Sequence, residues 1–98
     1  MNIRFADPDL DRLETDPRFT GGFSQAIVKS YRKKLQIIRA AIDERDIRQM
    51  RSLHFEQLKG DRKGQSSIRL NDQFRLVIAF EQDESGRTVV VIEIVDYH

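Results

Sequence analysis

The most regular feature of the chain is a run of apolar side chains, Phe23, Ile27, Tyr31, Leu35, Ile38 and Ile42, spaced by four, four, four, three and four residues. That spacing closes on one stripe of an α-helix and predicts a helix of about twenty residues after the Thr20-Gly21-Gly22 break. Lys29, Arg32, Lys33 and Arg39 fall mostly off the stripe, so the outer face of this helix is basic. Ahead of it, Ile3-Arg4-Phe5 alternates as a short edge strand does. Asp7-Pro8-Asp9 reads as a helix start: Asp7 can cap, Pro8 suits the first helical position, and carboxylates in the first turn complement the helix dipole. Asp16-Pro17 should end that helix, with Leu10 and Leu13 as its buried edge. Beyond the long helix, Asp43 is placed to cap a second short one running to Met50, with Ile47 and Met50 turned inward.

From Ser52 onward the period becomes two. Leu53, Phe55 and Gln57 alternate with His54, Glu56 and Leu58, which predicts a strand without a cleanly apolar face. Residues 60–64 form a turn with a glycine at each end, and 66–70 and 74–80 are strands. Ile68 and Leu70 share a face, as do Phe74, Leu76, Ile78 and Phe80. Directly opposed residues lie on the same face of a sheet, so turning Leu70 and Phe74 both inward requires a three-residue connection over 71–73 and sets Arg69 opposite Arg75. Like charges in that position repel, and an anion is expected beside them: the Asp96 carboxylate or a bound phosphate. Residues 82–87 read as a polar hairpin loop, and 88–95 as a well-covered closing strand. The predicted architecture is α+β, with N-terminal helices packed on one face of a small twisted, mainly antiparallel sheet.

A chain of 98 residues supports one domain, here 1–98. Its hydrophobic content of 39% against 34% charged residues is that of an ordinary globular protein. The absence of cysteine excludes disulfides, thiolate nucleophiles and cysteine-based metal sites. The two histidines, His54 and His98, lie too far apart in sequence to suggest a zinc site, and neither a metal nor a cofactor is expected. The first residues contain no apolar leader and the apolar runs are too short to span a bilayer, so the expected location is cytoplasmic, with no membrane partner. Net charge is only +1, but it is uneven: −2 over residues 1–22, +5 over 23–52 and −2 over 53–98. Local basic surface is therefore available for a polyanion despite the near-neutral total.

The meander brings the turn at 58–65, Arg69, Arg75 and the stretch Asp96-Tyr97-His98 within reach of one another. The resulting set holds Lys59, Arg62, Lys63, Arg69 and Arg75 as cations, with Tyr97 and His98 as proton-transfer groups. Cleavage of RNA without a metal needs such a set. One group takes a proton from the ribose 2′-OH, another protonates the leaving 5′ oxygen, and cations stabilise the charge that builds on phosphorus. A histidine, with a reference pKa of about 6.5, can serve in either proton transfer. The bland alternative is that these basic residues are solvated and Tyr97 covers a core edge.

The run Glu56-Gln57-Leu58-Lys59-Gly60-Asp61-Arg62-Lys63-Gly64-Gln65, the following Ser67-Ile68-Arg69-Leu70-Asn71-Asp72-Gln73-Phe74-Arg75-Leu76, and the ending Val91-Ile92-Glu93-Ile94-Val95-Asp96-Tyr97-His98 resemble the HigB toxins of the RelE/ParE superfamily. The resemblance implies a RelE-like toxin fold and a toxin of a type II toxin–antitoxin pair that enters the ribosomal A site and cuts mRNA during translation, without a metal. It also implies a HigA-like helix-turn-helix antitoxin that silences the toxin and represses the shared operon. By position, Lys59 and Arg75 match residues that stabilise phosphate, and Asp96, Tyr97 and His98 match the C-terminal catalytic group. Arg69 is an assistant, and Arg62, Lys63 and Arg69 are the candidate contacts to RNA phosphates. Many relatives carry a histidine three residues before the lysine, where this chain has Glu56. His54 lies two residues earlier and, on a regular strand, would share the face of Glu56, so both are candidates for that role. The basic helix around Lys29, Arg32 and Lys33 would contact ribosomal RNA. Two rivals remain at this stage: a ParE-like inhibitor of DNA gyrase, and an RNA-binding regulator without catalysis.

Overall fold

The computed structural model describes residues 1–84 and 86–97. A short strand β1 (Asn2–Phe5) leads into helix α1 (Pro8–Thr15), capped by the Asp7 carboxylate, which accepts from the Asp9 N–H, and closed at Asp16. Ser24 caps α2 (Gln25–Ala40) and Asp43 caps α3 (Glu44–Gln49). Four strands follow: β2 (Glu56–Gln57), β3 (Ser66–Arg69), β4 (Phe74–Asp83) and β5 (Gly86–Asp96). They form a five-stranded sheet in the order β1-β5-β4-β3-β2, a meander completed by β1 running parallel to β5. This is the expected helix-on-sheet α+β arrangement. No helix among the described residues is long and apolar enough to cross a membrane.

The core lies between the helices and one sheet face. Ile27, Tyr31, Leu35 and Ile38 from the predicted stripe, with Leu10, Leu13 and Ile47, pack against Ile68, Leu76, Ile78, Val89 and Val91. The α1–α2 junction is locked by polar bonds from side chains of α2. Tyr31 donates its hydroxyl to the Leu10 carbonyl (2.7 Å), Arg32 donates to the carbonyls of Leu13 (3.0 Å) and Asp16 (2.9 Å), and Arg39 forms a two-pronged pair with Glu14. Carbonyls in the last turn of a helix have no partner within it, so Arg32 supplies one to the end of α1.

Several expectations are corrected. The long helix is shorter than its apolar stripe: Phe23 precedes the Ser24 cap, and Ile42, beyond the C-cap Ala41, is 83% exposed. Met50 is 39% exposed rather than turned inward, because it lies just past α3. No strand begins at Ser52. A 3-10 turn occupies Arg51–Leu53 and His54 adopts a left-handed conformation (φ 47°), leaving β2 only two residues. His54 and Glu56 are therefore not neighbours on one regular strand face. The polar stretch predicted as a hairpin loop is largely strand among its described residues: Gln82 pairs with Arg87 and Asp83 with Gly86.

The β3–β4 connection holds as predicted. Arg69 pairs with Arg75, Leu70 donates to the Phe74 carbonyl (3.0 Å), and the Asn71 side chain accepts from the N–H groups of Gln73 and Phe74.

The buried Tyr31 hydroxyl carries a testable consequence. Tyr31→Phe removes the buried hydroxyl's bond to the Leu10 carbonyl and should lower unfolding free energy by about 0.5–1.5 kcal/mol, read by urea or thermal unfolding. Burial, together with Glu14 and Asp11, pushes the Tyr31 phenol well above its ordinary value of 10.0. Its contribution is fully present below that value and is lost as pH rises through the higher folded value, since the unfolded chain releases the proton first. Tyr31→Phe should lack this alkaline decline; identical decline in both proteins would remove Tyr31 as its source.

Candidate active site

Alternation along β4 decides where the chemistry can sit. Leu76 and Ile78 face the helices, so Arg75 and Val77 project from the opposite face. Arg75 is the centre of that face. Its side chain is only 15% exposed, and each side of the guanidinium has a different partner. Nη1 donates to the His54 carbonyl at 2.8 Å and to Ser67 Oγ at 3.5 Å, Glu56 Oε2 lies 4.0 Å away, and the Tyr97 ring centroid is 4.8 Å from Cζ. These partners come from the segment before β2, from β2 itself, from β3, and from the residue following β5. The site is assembled by the meander.

The left-handed turn at His54 aims its carbonyl at Arg75. His54 thus acts on Arg75 through its backbone, a role that nothing in the alternation of residues 53–58 signals. Ser67 was also missed. Its position opposite Glu56 and Val77 on one face follows from the register, but the register of a two-residue strand cannot be read from its sequence. Glu56 is half exposed beside the cation, and Tyr97 is 49% exposed and anchored by its N–H to the Gln73 carbonyl.

The opposition of Arg69 and Arg75 is resolved by two separate anions. Arg69 pairs with Asp72 in the connecting turn, while Arg75 leans toward Glu56 and the His54 carbonyl. Asp96 lies opposite Phe74 and accepts from Gln73 Nε2 at 3.0 Å. Arg62 binds Glu93 and the Gln65 side chain, laying its turn across this face toward β5. Lys59 and Lys63 line a recess beside β2 whose walls include neither Arg75 nor Tyr97. Lys29, Arg32 and Lys33 border a broad cleft of about 860 Å³ between α2 and residues 17–20, though Arg32 is engaged with carbonyls at the end of α1. His98 lies outside the described residues.

Helices on one face of the sheet, with this polar cluster on the other, define a class. The same fold is found across 100% of both chains in a YoeB/ParE toxin from Agrobacterium tumefaciens (TM-score 0.61, 20% identity). It recurs in a YoeB–YefM complex from Staphylococcus aureus (TM-score 0.55, 21% identity, covering 100% of this chain and 97% of that one). The fold is that of RelE/ParE-superfamily toxins. Residues 3–98 match the family model of the HigB-like toxins, described as the RelE-like toxin of type II toxin-antitoxin system HigB, and the chain belongs to that family. Toxin HigB-1 of Vibrio cholerae is 35% identical over 77 residues, spanning 79% of this chain and 81% of that protein. The protein is thus the toxin of a type II pair, and an antitoxin is its partner.

The role of His54 is directly testable. His54→Gly should fold as the parent does, since glycine accepts positive φ, whereas the β-branched His54→Val should cost about 1–2 kcal/mol. Equal melting of the two variants would mean the turn is not fixed as described.

Proposed function

We propose that the protein is an endoribonuclease that cuts mRNA on the translating ribosome without a metal ion, using the polar cluster around Arg75. The observation that carries this reading is the Arg75 cluster: a largely buried guanidinium held by a carbonyl, a hydroxyl and a ring, with an accessible carboxylate beside it. A cation held before substrate arrives stabilises charge that develops on the phosphorane at little reorganisation cost. In this mechanism Glu56 takes the proton from the ribose 2′-OH, whose oxygen attacks phosphorus. The 5′ oxygen leaves, protonated by Tyr97 or His98. The bond from O2′ to phosphorus forms as the bond to O5′ breaks, giving a 2′,3′-cyclic phosphate and a 5′-hydroxyl. Lys59, in the recess beside β2, adds positive charge along the RNA backbone, Arg69 assists there, and Asp96 orients its neighbours.

The ribosome explains why so modest a net charge suffices. It presents the mRNA already oriented, which reduces what the toxin itself must bind, while Lys29 and Lys33 contact ribosomal RNA phosphates. The site of action is then cytoplasmic, and the antitoxin is a HigA-like helix-turn-helix protein that represses the shared operon.

Primer extension on mRNA after induced expression tests the reading. Arg75→Ala should reduce cutting by about 10²–10³, and Glu56→Gln by about 10²–10⁴. Undiminished cuts with Arg75→Ala, or DNA damage in place of mRNA cuts, would sink it. Lys29→Glu with Lys33→Glu should weaken ribosome binding and flatten its logarithmic salt dependence by roughly one to two units of slope. An unchanged slope assigns that face elsewhere.

A further inference from the structure

β4 continues past the start of β3, where Ser66 pairs with Ile78, so Phe80 has no β3 neighbour. A recess of about 530 Å³ opens there, lined by Arg48, Gln57, Lys59, Lys63, Gln65 and Phe80. Its electrostatics are one-sided. Lys59 and Lys63 have no ion-pair partner among the described residues, and the single carboxylate in the wall, Glu44, lies 3.7 Å from Arg48. Arg48 is further oriented by the Phe55 ring, 4.9 Å from its Cζ, and Phe55 in turn packs on Phe80 with centroids 6.0 Å apart. Three cations therefore surround a partly exposed aromatic wall.

The amides add direction. Gln57 satisfies Arg48 only with its oxygen toward the guanidinium, 3.1 Å from Nη1 and Nη2, and the Gln65 oxygen accepts from Arg62 at 2.9 Å. Each is left with an NH₂ group to donate. A site of this kind suits a ligand that combines a phosphate, a flat ring and acceptor atoms on that ring's edge, which is a single-stranded RNA nucleotide.

Its position relative to Arg75 is fixed by β2. Glu56 is 4.0 Å from Arg75, and the next residue, Gln57, lines the recess. Successive strand residues point to opposite faces, and β2 is a two-residue edge strand over which a nucleic-acid strand can pass. We infer that this recess is a second RNA subsite, which holds a nucleotide flanking the one cut at Arg75 and sets the sequence preference next to the cut. Its place in the substrate path rests on the ribonuclease reading; its affinity for a nucleotide does not.

The test uses guanosine 3′,5′-bisphosphate, whose O6 and N7 are adjacent acceptors, with the full-length toxin and its Arg48→Gln/Lys63→Gln variant. Both altered residues are exposed, and the amide spectrum of the variant checks its fold. Titration should shift the amide signals of Gln57, Lys59, Gly60 and Gly64 in the parent, with affinity at least about tenfold weaker in the variant, equivalent to 1.4 kcal/mol. In ribosome cleavage assays the variant should need about tenfold more toxin for half-maximal cutting, by the same relation, and its cut sites should redistribute. No shifts in the parent, or equal affinity in the variant, overturns the subsite even where mRNA is cut normally. Binding in the recess by a toxin that leaves mRNA intact instead overturns the ribonuclease reading and leaves the nucleotide site standing.

Discussion

The inward packing of β4 against α2 constrains everything on the opposite sheet face. Leu76 and Ile78 are fully buried beneath Tyr31, Leu35 and Ile38, and a strand that buries one set of alternate residues must project the other set outward. A slip of one residue would drive Arg75 into the core, where an unpaired guanidinium is far more costly than any contact it could gain. The long pairing of β4 with β5 then carries the same parity to Glu93 and Val95, and onward to Tyr97. A bulge between Val77 and Ile78 interrupts the register. It lies between the Arg75 end of the sheet and the Phe80 end, and such irregularities re-aim side chains without breaking the sheet.

Holding a cation at 15% exposure requires compensation, and Arg75 receives it from four kinds of group. The bond to the His54 carbonyl is the most specific, because it depends on a left-handed backbone conformation that is uncommon outside glycine and that histidine, like asparagine and aspartate, adopts more readily than other side chains. The Tyr97 ring offers an attraction of about 0.5–2 kcal/mol for a cation over its face. Glu56, at 4.0 Å and half exposed, is a looser partner. On the proposed ribonuclease reading that looseness is useful: a carboxylate bonded tightly to the guanidinium would occupy the anion site, whereas one at this distance leaves room for a phosphate oxygen.

Helix caps and sheet register were legible in the sequence because each has a short-range cause. Asp7-Pro8 and Asp43 cap the helices expected of them, the stripe from Ile27 to Ile38 is buried, and the inward pairing of Leu70 with Phe74 places Arg69 opposite Arg75. The length of the stripe misled only at its ends, where Phe23 and Ile42 fit the helical period but lie beyond the caps. The segment from Arg51 to Gln57 was not legible. Alternation of Leu53, His54, Phe55 and Glu56 suits a strand, and no local residue announces that His54 turns left-handed; the chain must turn there because Leu53 is buried in the core while Glu56 has to meet Ser67. With that turn unseen, the His54 carbonyl and the Ser67 hydroxyl could not be assigned to the site.

Counting basic residues overstates the positive charge available to a ligand, and the structure sorts them by what they already hold. Arg62 binds Glu93 and Gln65 across the sheet face, and Arg32 is tied to α1 carbonyls, so both would give up structural bonds to reach a phosphate. Arg69 is different. Its partner Asp72 is 93% exposed, and a surface ion pair of that kind is worth only about 0–1 kcal/mol, less than a charge-assisted bond to a phosphate oxygen supplies. On the proposed ribonuclease reading, Arg69 exchanges Asp72 for a phosphate oxygen at small cost while Asp72 returns to solvent. The same exchange moves the Asp72 carboxylate away from Arg69 as a polyanion arrives, so the turn over 71–73 that sets the Arg69–Arg75 register also provides Arg69 with a partner it can release.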